Sequence, residues 1–70
     1  MRPLLTSKQS SVYNFIVQYQ KENERSPSQD EISAECKIKQ SNVCKYLDAL
    51  DRKDYIVYYR NTARGIELIK

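Results

Sequence analysis

The 70-residue sequence has no histidine, one glycine, two prolines and two cysteines, and each scarcity closes off a class of protein. Without histidine the commonest general base at neutral pH is missing, and with a single glycine there is no room for a glycine-rich phosphate loop. Cys44 beside Lys45 is the nearest approach to a nucleophile–base pair, but adjacent residues on a helix point in diverging directions. Enzyme chemistry is therefore the weakest reading. A zinc site needs four ligands, or three and a water, so Cys36 and Cys44 would require carboxylates to complete it. No metal and no cofactor are expected. In a reducing cytoplasm no disulfide is expected either, and both cysteines read as small buried apolar fillers. So little glycine and proline also argues against a disordered or low-complexity chain. No apolar run approaches the roughly 20 residues that span a membrane, and Met1-Arg2-Pro3-Leu4-Leu5-Thr6 is no secretory signal. The expected location is the cytoplasm.

What remains is a sequence with 40% hydrophobic residues and no internal repeat, expected to fold as one domain over residues 1–70. That length is near the lower limit for folding without metal or disulfide. The net charge is only +3, but it is unevenly distributed. Between Glu22 and Glu35 five acidic residues face one basic residue, Arg25. From Lys37 to Tyr46 there are three lysines and no acid, and Tyr55 to Gly65 carries Arg60 and Arg64, again without an acid. Two basic stretches in so short a chain point to a polyanion-facing side.

Three helices and a hairpin are written in the hydrophobic pattern. Thr6-Ser7-Lys8-Gln9 fits a capping box, and Val12, Phe15, Ile16 and Tyr19 then follow the spacing of one buried helical stripe. The polar run Lys21 to Ser26 and Pro27 end that helix. Ser28-Gln29-Asp30-Glu31 is a second capping box, opening a short helix with Ile32 and Cys36 on one side and Ala34 as a small residue for close helix packing. Lys37-Ile38-Lys39 reads as the turn, with Ile38 returning to the core. A third helix is expected from about Gln40 to Lys53, where Val43, Leu47 and Leu50 fall within about 60° of one another on the helical wheel. Ser41, Lys45 and Arg52 lie almost opposite that seam. Tyr55-Ile56-Val57-Tyr58-Tyr59 and Ile66-Glu67-Leu68-Ile69 read as strands around a polar, basic loop. The tyrosines fall mostly at core or strand spacing, which favours packing over stacking on single-stranded bases. The expected fold is α+β: a winged helix-turn-helix, three helices followed by a C-terminal β-hairpin wing.

The segment from Glu31 to Leu47, with its apolar locks at Ile32, Cys36, Ile38, Val43 and Leu47, resembles the helix-turn-helix of bacterial repressors. Most of all it resembles the amino-terminal DNA-binding domain of the LexA repressor family. Leu5-Thr6-Ser7-Lys8-Gln9 is similar to that family's opening, and Ser26-Pro27-Ser28-Gln29-Asp30-Glu31-Ile32 to the entry of its second helix. Leu47-Asp48-Ala49-Leu50-Asp51-Arg52-Lys53 resembles the end of its recognition helix, and Ala63-Arg64-Gly65-Ile66-Glu67-Leu68 its wing. Position 37, often glycine in such turns, is lysine here. The turn and the start of the recognition helix run one residue short, so the family's base-reading side chains are not carried over. The family continues into a self-cleaving peptidase domain beyond the point where this sequence ends. The resemblance therefore implies no protease function, and a stand-alone regulator of phage or plasmid type, or an excised domain, is expected.

These readings define a candidate interface with double-stranded DNA. Gln40, Ser41, Asn42 and Lys45 would read base edges in the major groove, since Gln or Asn pairs with adenine and Lys with guanine acceptors. Lys37, Lys39 and Arg52 would hold phosphates, and Ser28 would offer N–H groups at a helix start. Arg60, Asn61, Thr62 and Arg64 of the wing, about residues 60–65, would meet the backbone or minor groove. Plainer roles stand beside these: helix capping for Gln40 or Ser41, an ion pair with Asp48 for Lys45, and solvation for the hairpin tip. Two other functions share the fold. One is a protein-interaction module, such as a phage anti-repressor or an assembly subunit, expected to carry an apolar outer face on the third helix. The other is a binder of double-stranded RNA or non-B-form duplex. A monomer in solution, pairing on a two-part operator, is expected.

Overall fold

The computed structural model describes residues 4–59 and 65–69. Three helices, α1 (Ser7–Asn23), α2 (Gln29–Cys36) and α3 (Gln40–Arg52), precede two strands, β1 (Ile56–Tyr58) and β2 (Ile66–Leu68). The strands pair antiparallel, with Ile56 opposite Leu68, Val57 opposite Glu67 and Tyr58 opposite Ile66. This is the α+β winged helix-turn-helix order read from the sequence.

Both predicted capping boxes form. The Thr6 hydroxyl accepts the Gln9 N–H at 3.2 Å while the Gln9 side chain accepts the Thr6 N–H at 3.2 Å. Ser28 and Glu31 repeat the exchange at the start of α2, at 3.2 and 2.9 Å. Each box satisfies backbone donors that the first helical turn leaves without partners. α1 runs three residues into the polar segment and stops at Asn23, where Glu24 adopts the left-handed conformation with φ 57°.

The shortage of glycine has a structural consequence at the chain reversals. Among the described residues every positive-φ position is a non-glycine: Glu24, Lys37 and Asp54. Each follows a helix, where glycine is the usual solution because it has no Cβ to clash. In the turn between α2 and α3, Lys37 sits at φ 56°, ψ 46°. Ser33 brackets this residue. Its carbonyl accepts the N–H groups of both Lys37 and Ile38, and its hydroxyl donates to the Ile38 carbonyl at 2.5 Å. These bonds offset the left-handed cost, about 1–2 kcal/mol for a residue with a Cβ.

One apolar cluster joins all five elements: Val12 and Ile16 of α1, Ile32 of α2, Val43, Leu47 and Leu50 of α3, and Ile56 and Ile66 of the strands. Each fully buried aliphatic side chain stabilises the fold by about 1.5–3 kcal/mol relative to exposure. Phe15, Cys36, Ile38 and four tyrosines (13, 46, 55 and 58) pack around this cluster, half-buried. The Tyr13 and Tyr55 rings meet edge to face at 5.1 Å, joining α1 to the chain entering β1. Packing is thus the role of most of the tyrosines, while Tyr59 is 50% exposed. No helix among the described residues is long and apolar enough to cross a membrane.

Two packing expectations need correction. Ala34 is not buried between helices; it is exposed, at the rim of the gap between α1 and α2. It lies two residues beyond Ile32, about 200° around the helix, and Ile32 is the residue α2 turns inward. The cysteines are half-buried rather than core fillers. Cys44 follows the buried Val43 and is rotated about 100° from it, which brings it to the edge of the seam where polar neighbours reach it.

Candidate nucleic-acid interface

α3 carries most of the candidate side chains, and its amphipathic pattern orients them. Val43, Leu47 and Leu50 are fully buried and fix the roll of the helix. That roll leaves Gln40, Ser41, Lys45 and Arg52 exposed and Asn42 half-buried. Lys37 and Lys39, in the turn before the helix, are also exposed.

The start of α3 is unlike the other two helix starts. Its N-cap is Lys39, in an extended conformation, and no side chain caps it. The capping role considered for Gln40 and Ser41 is therefore overturned: they occupy the first two helical positions, and a cap must precede them. The first turn has no acidic residue. The helix start accordingly has open N–H groups and the positive end of the backbone dipole beside Lys37 and Lys39.

Ser28 is differently placed. Its hydroxyl oxygen accepts from the Glu31 N–H and its own N–H donates to the Glu31 carboxylate, so the N–H and the hydroxyl's accepting side are engaged within the capping box. Tyr19 donates to the other Glu31 oxygen, tying α1 to the same carboxylate. Asp30 and Glu31 add negative charge to this turn. Arg60, Asn61, Thr62 and Arg64 lie outside the described residues; they belong to the segment joining Tyr59 to Gly65.

Two charges at the end of α3 and just beyond it have separate duties. Asp51 turns to the hairpin, where its carboxylate accepts the Tyr58 N–H at 3.1 Å. Lys53 is committed to α1, its ammonium donating to the Leu4 carbonyl at 3.0 Å and to Gln9 at 2.7 Å. Acidic residues instead gather between the first two helices. A groove of ≈ 380 Å³ is lined by Phe15, Tyr19, Glu22, Glu31, Ala34 and Glu35, with no residue from α3 or the strands. The acidic segment thus lines a groove apart from the exposed residues of α3.

Sequence reasoning missed the bonds that hold the hairpin. Asp51, Ser26 and Gln29 had no assigned part, and their partners lie 7, 40 and 29 residues away. Ser26 donates to the Ile66 carbonyl, and Tyr59 donates to Glu67 across the strands at 2.9 Å. The hydrogen bond to Glu67, reinforced by its negative charge, raises the Tyr59 phenol above its ordinary range. Burial raises the Cys36 thiol, with a smaller contribution from Glu35.

The sequence matches the LexA DNA binding domain family over residues 1–65. It is 39% identical over 66 residues to LexA repressor 1 of Geobacter sulfurreducens, covering 93% of this chain and 33% of that protein. Against the LexA repressor of Actinobacillus succinogenes the identity is 36% over 66 residues, covering 93% and 31%. Against that of Mannheimia succiniciproducens it is 35% over 72 residues, covering 99% and 34%. The chain spans about a third of the length of these relatives. The family match, the helix order and the paired strands agree, and this chain belongs to the LexA DNA-binding domain family.

Proposed function

We propose that this chain binds double-stranded DNA sequence-specifically as a small transcription repressor, with α3 in the major groove and the wing on the backbone or minor groove. The observation that carries this reading is the outward surface of α3: Gln40, Ser41, Lys45 and Arg52 are exposed over a buried seam, behind a turn bearing Lys37 and Lys39. Gln40, Ser41, Asn42 and Lys45 take the base edges, and Lys39 and Arg52 take phosphates on either side, with Lys37 beside them. The uncapped start of α3 adds N–H donors toward the backbone. Arg60, Asn61, Thr62 and Arg64 serve as the wing contacts. Ser28, occupied by its capping box, is left a structural role. The curated relatives are named repressors, which favours repression over activation.

A protein-interaction module would call for an apolar outer face on α3. The exposed large hydrophobics among the described residues are Leu4 and Tyr59, and neither is on that helix. The chain is a monomer in this reading and pairs only on a two-part operator.

Fluorescence anisotropy with duplex DNA across a salt series tests the proposal, with Lys45→Ala and Arg64→Ala alongside. Affinity that falls steeply with salt, and falls further in both variants, is the expected result. No binding at low salt would overturn it.

A further inference from the structure

Two elements are assigned to DNA here, yet a two-stranded ribbon is marginal by itself and needs outside support to hold a direction. The support is concentrated on Tyr58, the last residue of β1. Tyr59 donates to the Gly65 carbonyl at 2.6 Å and Ile69 to the Tyr55 carbonyl at 3.2 Å. These are hydrogen-bonded pairs of an antiparallel ladder, and such pairs alternate along it. Tyr58 and Ile66, one position inward, therefore form a pair whose main-chain groups face away from the partner strand. Both outward edges are taken up: Asp51 of α3 accepts the Tyr58 N–H, and Ser26 donates to the Ile66 carbonyl.

The Tyr58 side chain closes a second tie. Gln29 Nε2 donates to the Tyr58 hydroxyl at 2.8 Å, that hydroxyl donates to Cys44 Sγ at 3.6 Å, and the Cys44 thiol donates to Gln29 Oε1 at 3.5 Å. Each member donates once and accepts once, so the ring is self-consistent, and bonds in such a cycle polarise one another. It joins the first residue of α2, the middle of α3 and the end of β1. Cys44 and Asp51 are seven residues apart on α3, two helical turns or about 10 Å. A single tether would leave Tyr58 free to pivot; two, one on its N–H and one on its hydroxyl, fix how it lies along the helix.

We propose that Tyr58 is a positioning residue that, through Gln29, Cys44 and Asp51, locks the β1–β2 ribbon to α3, so that the helix and the ribbon leading into the wing meet the duplex in a fixed relation. The proposal rests on the reading of α3 and the wing as the DNA-contacting pair. Its mechanical part concerns the free protein alone. Tyr58→Phe removes the hydroxyl and keeps the ring in place, Cys44→Ala opens the cycle, and Cys44→Ser restores a donor and acceptor there.

The test combines amide hydrogen exchange on the free chain with anisotropy on an operator selected from a random duplex library. In Tyr58→Phe and Cys44→Ala, exchange of the β1 and β2 amides is expected to accelerate while the α1 amides keep their protection. Affinity falls about fivefold, the order expected when two of the ring's three bonds are lost and at least one of them is a weak contact to sulfur, and Cys44→Ser recovers most of it. The salt dependence also becomes shallower, by about 0.9 in log–log slope for each phosphate that the wing no longer reaches. Arg64→Ala, costly in the unaltered chain, adds little in the Tyr58→Phe background, because the wing is already out of register. A merely structural role would lower stability and leave both the slope and that coupling unchanged. Fully independent effects of Tyr58→Phe and Arg64→Ala, or unchanged exchange in the strands, overturn the proposal. If the unaltered chain binds no duplex, the DNA reading fails; accelerated strand exchange in Tyr58→Phe then still upholds the lock.

Discussion

The starts of α2 and α3 are the same structural problem solved in opposite ways. α2 begins with Ser28, closes its capping box on Glu31 and places two carboxylates in its first turn. α3 begins with Lys39, has no side-chain cap and no acid in its first turn, and follows an exposed Lys37. The first arrangement satisfies the orphan N–H groups and matches the helix dipole from within. The second leaves both to the surroundings. A helix start that forgoes capping gives up about 1 kcal/mol, and a basic one also carries charge of the wrong sign for its dipole. In the proposed reading of α3 as the recognition helix that loss has a use, because a phosphate would supply both the acceptor and the charge.

The largest change that tests this contrast removes the packing beneath it. Leu47→Ala, at a fully buried site on α3, is expected to cost about 2–5 kcal/mol, a large share of the stability of so small a domain. Urea denaturation followed by circular dichroism measures it. Next comes converting the open start into a closed one. Lys39→Asp supplies a capping carboxylate and removes a cation, so stability should rise by about 1 kcal/mol while duplex affinity drops and its salt slope shrinks by about 0.9. If affinity stays unchanged, the open start has no part in binding.

The converse change opens the closed start. Ser28→Ala is expected to cost about 1 kcal/mol, lowering Tm by about 4–8 °C, with an unaltered salt slope for duplex binding below the transition. A shallower slope would return Ser28 to the groups that hold phosphate. Smaller still is Lys37→Gly. Relief of the left-handed conformation should add about 0.5–1 kcal/mol, because glycine's greater freedom in the unfolded chain offsets part of the gain. The smallest effect is at the far end of α2, where burial and Glu35 raise the Cys36 thiol. A raised pKa means thiolate forms at higher pH, so alkylation of Cys36 in a Cys44→Ser background should reach half its limiting rate above the ordinary thiol range. Glu35→Gln should move that midpoint slightly down, and an unmoved midpoint would leave burial as the whole cause.

Local signals were legible in the sequence because local physics generates them. The two capping boxes, the α3 seam of Val43, Leu47 and Leu50, and the pairing of an aromatic, β-branched run with Ile66-Glu67-Leu68 all rest on spacings of a few residues. Ala34 shows that a local rule must be applied fully: the same helical wheel that turns Ile32 inward turns position 34 outward. The plain capping role for Gln40 and Ser41 rested on residue preference; the helix instead begins at Gln40 itself, with Lys39 in the cap position.

By itself, then, the sequence determined the element order, the buried stripe of each helix and the separation of acidic from basic segments, since periodicity and charge are properties of neighbours along the chain. Only the tertiary structure decided that Lys53 serves α1 while Arg52 stays exposed, that Glu31 answers Tyr19 as well as Ser28, and that Gln29, Cys44 and Tyr58 close into one ring. The partners that join different elements here are 12 to 49 residues apart. A hydrogen bond reaches only about 3 Å, so it depends on how the helices and strands pack, which no short stretch of sequence encodes.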